Sequence, residues 1–154
     1  MFVIADAESK VFTFFNLKLL CRKLVTLNIG FTMRLKTAAS LLPADWAVFQ
    51  SLLTFLKNIL RGVPRTIRRI IFTIDVGFAY SVSQIAGKDW VPKKEVDVEW
   101  DELEDMMTEH RLPKLEKVLI RLNTPVGVII PEQLYTMFAC QLRMLQSRRI
   151  LIFG

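Results

Sequence analysis

The chain has 154 residues, a formal net charge of +6, 52% hydrophobic residues, eleven Phe and only six Gly. That length suits one domain by the usual prior of roughly 100–200 residues, and the composition excludes intrinsic disorder over most of it. Two cysteines, Cys21 and Cys140, are too few for a disulfide framework or a zinc cluster and suit reduced thiols of a cytosolic or nuclear protein. So much apolar area in so small a domain asks for a partner or a self-association face, and a homodimer is the expected form. The longest apolar window, residues 70–87, contains Asp75, and the other runs are broken by Lys18, Asp45 or Lys57 before about 18 residues, so no membrane span is predicted. The N-terminal MFVIADAESK carries acids where a signal peptide has a positive region, and no secretory signal is read.

In chain order, FVI at residues 2–4 is a short β-prone run, and residues 11–27, apolar on most helical faces with a polar edge at Lys18, Arg22 and Lys23, predict a helix, while their Phe and Val content leaves a strand open. Pro43 and Asp45 then open a helix whose Trp46, Phe49, Leu52, Leu53, Leu56 and Leu60 recur at three and four, closed by Gly62 and Pro64. From Pro64, the stripe Ile67, Ile70, Ile71, Ile74, Phe78, Val82 and Ile85 predicts a central helix. Its first turn would hold Arg65, Arg68 and Arg69, cations where the helix dipole favours anions, at about 0.3–1 kcal/mol each. Residues 86–98 read as a linker-like loop, followed by an acidic helix to about His110. LPKLEKVLIRL predicts a short amphipathic helix with Leu115, Val118, Leu119 and Leu122 inward, and Pro131 opens a last helix through about Arg149. ILIF at 150–153 is a second β-prone tip, expected to pair with the first or to cap the bundle, and no internal repeat is read. The expectation is an all-α, single-domain bundle of five to six helices over residues 1–154, with short β-like termini.

Catalytic signatures are absent. There is one histidine and no GxSxG, Walker loop, GxGxxG or HExxH, so no catalytic residue, metal, cofactor or small-molecule substrate is assigned. His110, among acids at a helix end, reads as a cap, and Cys140 as a packing residue near Met137 and Met144. Asp75 has no basic residue at i±3 or i±4, so if buried it needs a tertiary partner, most simply an arginine. The cations are dispersed over almost every element, which makes a solvated basic face the default and nonspecific nucleic-acid or anionic-membrane attraction the alternatives.

The sharpest local feature is EVDVEWDELEDMMTEH, residues 95–110, with eight acids and no Lys or Arg in a basic chain. As a helix it sets Trp100, Leu103 and Met107 on one side with Met106 adjoining, while Asp101, Glu104 and Asp105 take the rest. Either this stripe is core and the acids answer Arg65, Arg68 and Arg69 or the edge at Lys114 and Lys117, or the segment enters a partner's groove. The candidate partner-binding set is therefore Trp100, Leu103, Met106, Met107, Asp101, Glu104 and Asp105, opposite a basic patch of Arg65, Arg68 and Arg69.

Residues 100–146 carry Trp100, Met106, Leu112-Pro113, Leu115, Leu119, Leu122, Gly127-Val128-Ile129, Pro131-Glu132-Gln133 and Met137 in an order that resembles the C-terminal part of the small C accessory proteins of paramyxoviruses. The resemblance covers under a third of the chain. It implies a non-enzymatic virulence factor that dampens viral RNA synthesis and antagonises interferon responses through contacts with host or viral proteins, in the cytoplasm or nucleus of the host cell. Other classes open to the same composition are a basic peripheral membrane protein and a nucleic-acid-packaging protein.

Overall fold

The computed structural model describes residues 2–6, 22–37, 45–80, 94–124 and 132–154. Among these, five strands form a single sheet: β1 (Phe2–Asp6), β2 (Thr26–Thr37), β3 (Arg69–Tyr80), β4 (Lys117–Asn123) and β5 (Leu151–Phe153). They lie in the order β1-β2-β3-β4-β5 and every neighbouring pair is parallel. Helix α1 (Trp46–Arg61) lies between β2 and β3, α2 (Lys94–Met106) between β3 and β4, and α3 (Glu132–Gln141) with α4 (Arg143–Ser147) between β4 and β5.

The expected all-α helical bundle is thereby overturned in favour of an α/β fold. Of the helix expected from Pro64, residues 69–80 are strand β3 and 81–85 lie outside the described residues; the amphipathic helix expected in LPKLEKVLIRL becomes a turn leading into β4; and of the first expected helix, residues 11–21 lie outside the described residues while 26–27 begin β2. The reason is the side-chain period. In β2 the buried residues are Leu27, Ile29, Phe31, Met33 and Leu35; in β3 Ile70, Phe72, Ile74 and Val76; in β4 Val118, Ile120 and Leu122. An alternation of two is the strand period, and cross-strand partners such as Ile29, Phe72 and Ile120 share one face. Burying each such side chain contributes roughly 1.5–3 kcal/mol.

The helices cover that face. In α1, Phe49, Leu52, Leu53, Leu56 and Ile59 join the same core cluster as the strands, and Phe55 stacks tilted against Phe31 at 5.6 Å. In α2 the core residues are Trp100, Leu103 and Met106, followed by Met107 in the turn, and the Trp100 indole meets the Phe138 ring of α3 edge-on at 5.6 Å and 86°. Tyr135 of α3 meets Phe153 of β5 edge-on at 5.7 Å. The helix expected at 43–61 is present as α1, and the last expected helix is broken at Leu142 into α3 and α4. Arg149, at φ 58°, takes the left-handed conformation that turns the chain out of α4 into β5. The two β-prone tips become the opposite edges of the sheet, β1 and β5, and do not pair with each other. Of the linker-like interruption expected at 86–98, residues 94–98 belong to α2, and the remainder lies outside the described residues.

The register reveals a repeat. Leu24, Leu27, Ile29 and Phe31 occupy the same positions as Ile67, Ile70, Phe72 and Ile74, and as Leu115, Val118, Ile120 and Leu122, an apolar spacing of three, two and two used three times. The backbone repeats with it: the Arg68 and Arg69 amides both donate to the Val25 carbonyl, and the Glu116 and Lys117 amides both donate to the Arg68 carbonyl. Each unit is a strand followed by a helix on one side. Such a unit cannot bury its apolar face alone and is completed by its neighbours.

Candidate binding surface

An all-parallel sheet ordinarily has both faces covered, and its strands then read as continuous apolar runs. Here the strands alternate instead, because the face opposite the helices carries polar side chains. The register sets these out in rows: Thr26, Arg69 and Lys117; Asn28, Ile71, Leu119 and Ile152; Gly30, Thr73 and Arg121; Thr32, Asp75 and Asn123; Arg34 and Gly77. Thr32, Arg34, Arg69, Asp75, Arg121 and Asn123 are exposed, and Ile152 is 40% exposed. Leu119 is buried, but it stands outside the helix-side core cluster; a side chain at Gly154 would come within 3.1 Å of it, so the chain end backs onto this row.

The chemistry of the face is mixed. Across β2 to β4, Arg34, Arg69, Lys117 and Arg121 set four cations against the carboxylate of Asp75, whose row the register continues to Asp6 of β1, with an apolar row at Ile71, Leu119 and Ile152. Towards the C-terminal ends of the strands, Asn123 donates from Nδ2 to Asp75 Oδ1 at 2.9 Å. The pair lies in an open groove of about 350 Å³ with Thr32, Gly77 and Thr124. Asp75 is exposed and bonded to an amide, so the buried carboxylate paired with an arginine that a helical reading calls for does not arise.

The residues singled out in the acidic segment sit elsewhere. Trp100, Leu103, Met106 and Met107 are 9% exposed or less and form part of the core between α2, α1 and α3. Asp101 and Asp105 are exposed. Glu104 is 4% exposed; its Oε1 accepts the Leu145 amide at 2.9 Å, and the neighbouring Met144 amide also favours its charged form. These are amides of the first turn of α4, whose N-cap, Leu142, has no capping side chain. A carboxylate on α2 therefore does for α4 what an N-cap side chain does locally. Burial raises the Glu104 pKa above its ordinary value, the Asp101 and Asp105 charges push the same way, and the two backbone bonds oppose them.

The carboxylates of this segment do find cations, though not the expected ones. Glu102 pairs with Lys57 of α1 at 3.0 Å and Glu109 with Arg148 at 3.4 Å. The basic patch is dispersed by the strand geometry. Arg68 pairs with Glu116 at 3.1 Å, Arg69 stands on the open face, and Arg65 donates from Nη2 to the His110 carbonyl at 2.8 Å. His110 contributes that main-chain acceptor in the turn after α2, and Cys140 is a free, exposed thiol, whereas Cys21 lies outside the described residues. Among the described residues no group of three or more His, Cys, Asp or Glu could hold a metal ion, and no helix is long and apolar enough to cross a membrane.

The open face was missed in the sequence because its residues are ordinary: threonines, asparagines and single cations between apolar neighbours. The available signal was the thrice-used apolar spacing, which places a solvent-facing residue at every second strand position. Of the positions that carry the paramyxovirus C protein resemblance, Trp100, Met106, Leu112, Leu115, Leu122 and Met137 are buried in the core of this α/β fold, and packing accounts for them. Comparison with protein-family models, with curated proteins and with solved structures found no match for this chain.

Proposed function

We propose that the chain is a non-enzymatic binding module that presents the open face of its parallel sheet to a protein partner. The observation that carries this reading is the one-sided sheet: helices cover one face, and the other offers a row of apolar side chains flanked by arginines, a lysine and small polar groups. A partly apolar centre with a polar and arginine-bearing margin is the composition of a protein interface. Stacked strand-and-helix repeats, leucine-rich repeats among them, use the extended sheet surface in this way, an analogy of architecture that supports the class of function and names no partner.

The test is a comparison of two equal charge changes. Arg69→Glu with Arg121→Glu alters the open face, while Lys114→Glu with Arg143→Glu alters exposed positions off it. Both pairs are expected to melt close to the parent, since exposed substitutions of this kind usually change stability within about 0.5 kcal/mol each. Quantitative affinity capture from cells of the source organism should then lose a defined protein with the first pair and keep it with the second. Equal capture by both pairs would place the interface elsewhere.

A further inference from the structure

A second concavity lies apart from the open face, where the chain leaves α1 for β3 and α2 for β4. It has a volume of about 390 Å³, and Arg61, Arg65 and Arg111 line it together with His110, above an apolar floor that includes Leu60 and Met106. Among the described residues no carboxylate lines it. Of the acids of the α2 segment, Glu102 pairs with Lys57 and Glu109 with Arg148. Arg65 is braced by its hydrogen bond to the His110 carbonyl, and among the described residues Arg61 and Arg111 have neither an ion pair nor a hydrogen bond from their guanidinium groups.

Three exposed arginines around one concavity repel one another weakly through water, and an anion bound between them would replace that repulsion with attraction. Their planar forks present paired N–H donors that fit the oxygens of a phosphate group, which a lone lysine would meet only as a point charge. Negative character in the groove comes only from backbone, the His110 carbonyl that Arg65 meets and the C-terminal turn of α1 beside Arg61, so the site has cationic capacity that an anionic ligand could use.

We propose that this groove is a binding site for a phosphoryl group, with Arg61 and Arg111 as the principal ligands and Arg65 as a fixed third donor. The proposal is independent of the role given to the open face. The same chemistry is offered by free phosphate and by a phosphorylated side chain, and the test separates them.

The full-length protein is titrated with inorganic phosphate, pyrophosphate and an O-phosphoserine amide, at constant ionic strength against sodium chloride, by calorimetry or by NMR of the Arg side chains. Saturable one-to-one binding is expected, and Arg61→Gln with Arg111→Gln should weaken it at least about tenfold, the scale of losing hydrogen bonds to a charged group. In chloride the double variant should melt close to the parent, because removing like charges offsets the loss of Arg61 from the last turn of α1, where the helix dipole favours a cation. Tighter binding of phosphoserine assigns the site to a phosphorylated side chain, and equal or tighter binding of the inorganic anions assigns it to free phosphate. Absence of saturable binding by all three probes, or undiminished binding by the double variant, overturns the proposal.

Discussion

Trp100→Ala is expected to cost about 3–5 kcal/mol of unfolding free energy, the range for removing a large aromatic side chain from a closed core. Trp100 is 1% exposed and its ring is pinned edge-on against Phe138, so the loss falls on the joint between α2 and α3. For a domain whose total stability is about 5–15 kcal/mol, that change approaches or crosses the folding threshold. Trp100→Phe is the informative companion. Among the described residues the buried Trp100 Nε1 group has no hydrogen-bond partner, and a buried unsatisfied donor costs about 1–3 kcal/mol. Phenylalanine gives up packing area but removes that donor, so its net cost should stay below about 1.5 kcal/mol. Urea denaturation followed by far-UV circular dichroism measures both. An alanine variant as stable as the parent would return Trp100 to the surface and revive its role as an anchor for a partner's groove.

Glu104→Ala should cost about 2–3 kcal/mol, because the Leu145 amide in the first turn of α4 loses its acceptor and, on a buried residue, cannot turn to water. Glu104→Gln keeps an acceptor oxygen without the charge and should cost much less. The two substitutions also fix the sign of a pH effect. Since the carboxyl pKa is raised in the folded protein, chiefly by desolvation, the folded state holds the proton more tightly than the unfolded chain. Its contribution is therefore fully present below the ordinary value of 4.5 and is lost as pH rises through the higher folded value. The parent should gain stability relative to the glutamine variant as pH falls from 7 towards 4.5. A relative loss over that window would mean that the backbone hydrogen bonds outweigh burial.

These two residues also mark how much of the molecule could be read from its sequence. Helix α1 was legible because Phe49, Leu52, Leu53, Leu56 and Leu60 recur at a spacing that no strand shares, between a proline and a glycine. Strands β3 and β4 were not, because an apolar residue sits on each of their open faces. Ile71 and Leu119 complete the helical stripes Ile67, Ile70, Ile71, Ile74 and Leu115, Val118, Leu119, Leu122, while the true strand sets are Ile70, Phe72, Ile74 and Val118, Ile120, Leu122. Density of β-branched residues, as in IIFTIDV, was the signal that should have decided between the two periods. The repeat escaped notice because its units are unequal, with Leu27, Ile70 and Val118 standing 43 and 48 residues apart. Glu104 could not have been placed at all, since its role depends on α4 starting 39 residues later against α2.

The arrangement of charge follows from the same geometry. A helical reading groups Arg65, Arg68 and Arg69 on one turn, where a single acidic neighbour could answer all three. In a chain running from a turn into a strand they diverge to a groove, an ion pair and the open sheet face. Of the acids around Trp100, Glu102 and Glu104 therefore hold helices together, through Lys57 and the α4 amides, while Asp101 and Asp105 stay exposed.

The central claim is that β3 belongs to a sheet with one covered and one open face. Single cysteines placed in turn at Phe72, Thr73, Ile74, Asp75 and Val76, with Cys21 and Cys140 replaced by serine, test it through the rate of thiol labelling in the native protein. Fast labelling at 73 and 75, with positions 72, 74 and 76 reacting only through unfolding, is the result this structure predicts. Protection at all five positions would mean that both faces are covered, and reactivity recurring every three to four residues would restore a helix; either would contradict the fold and remove the proposed binding surface.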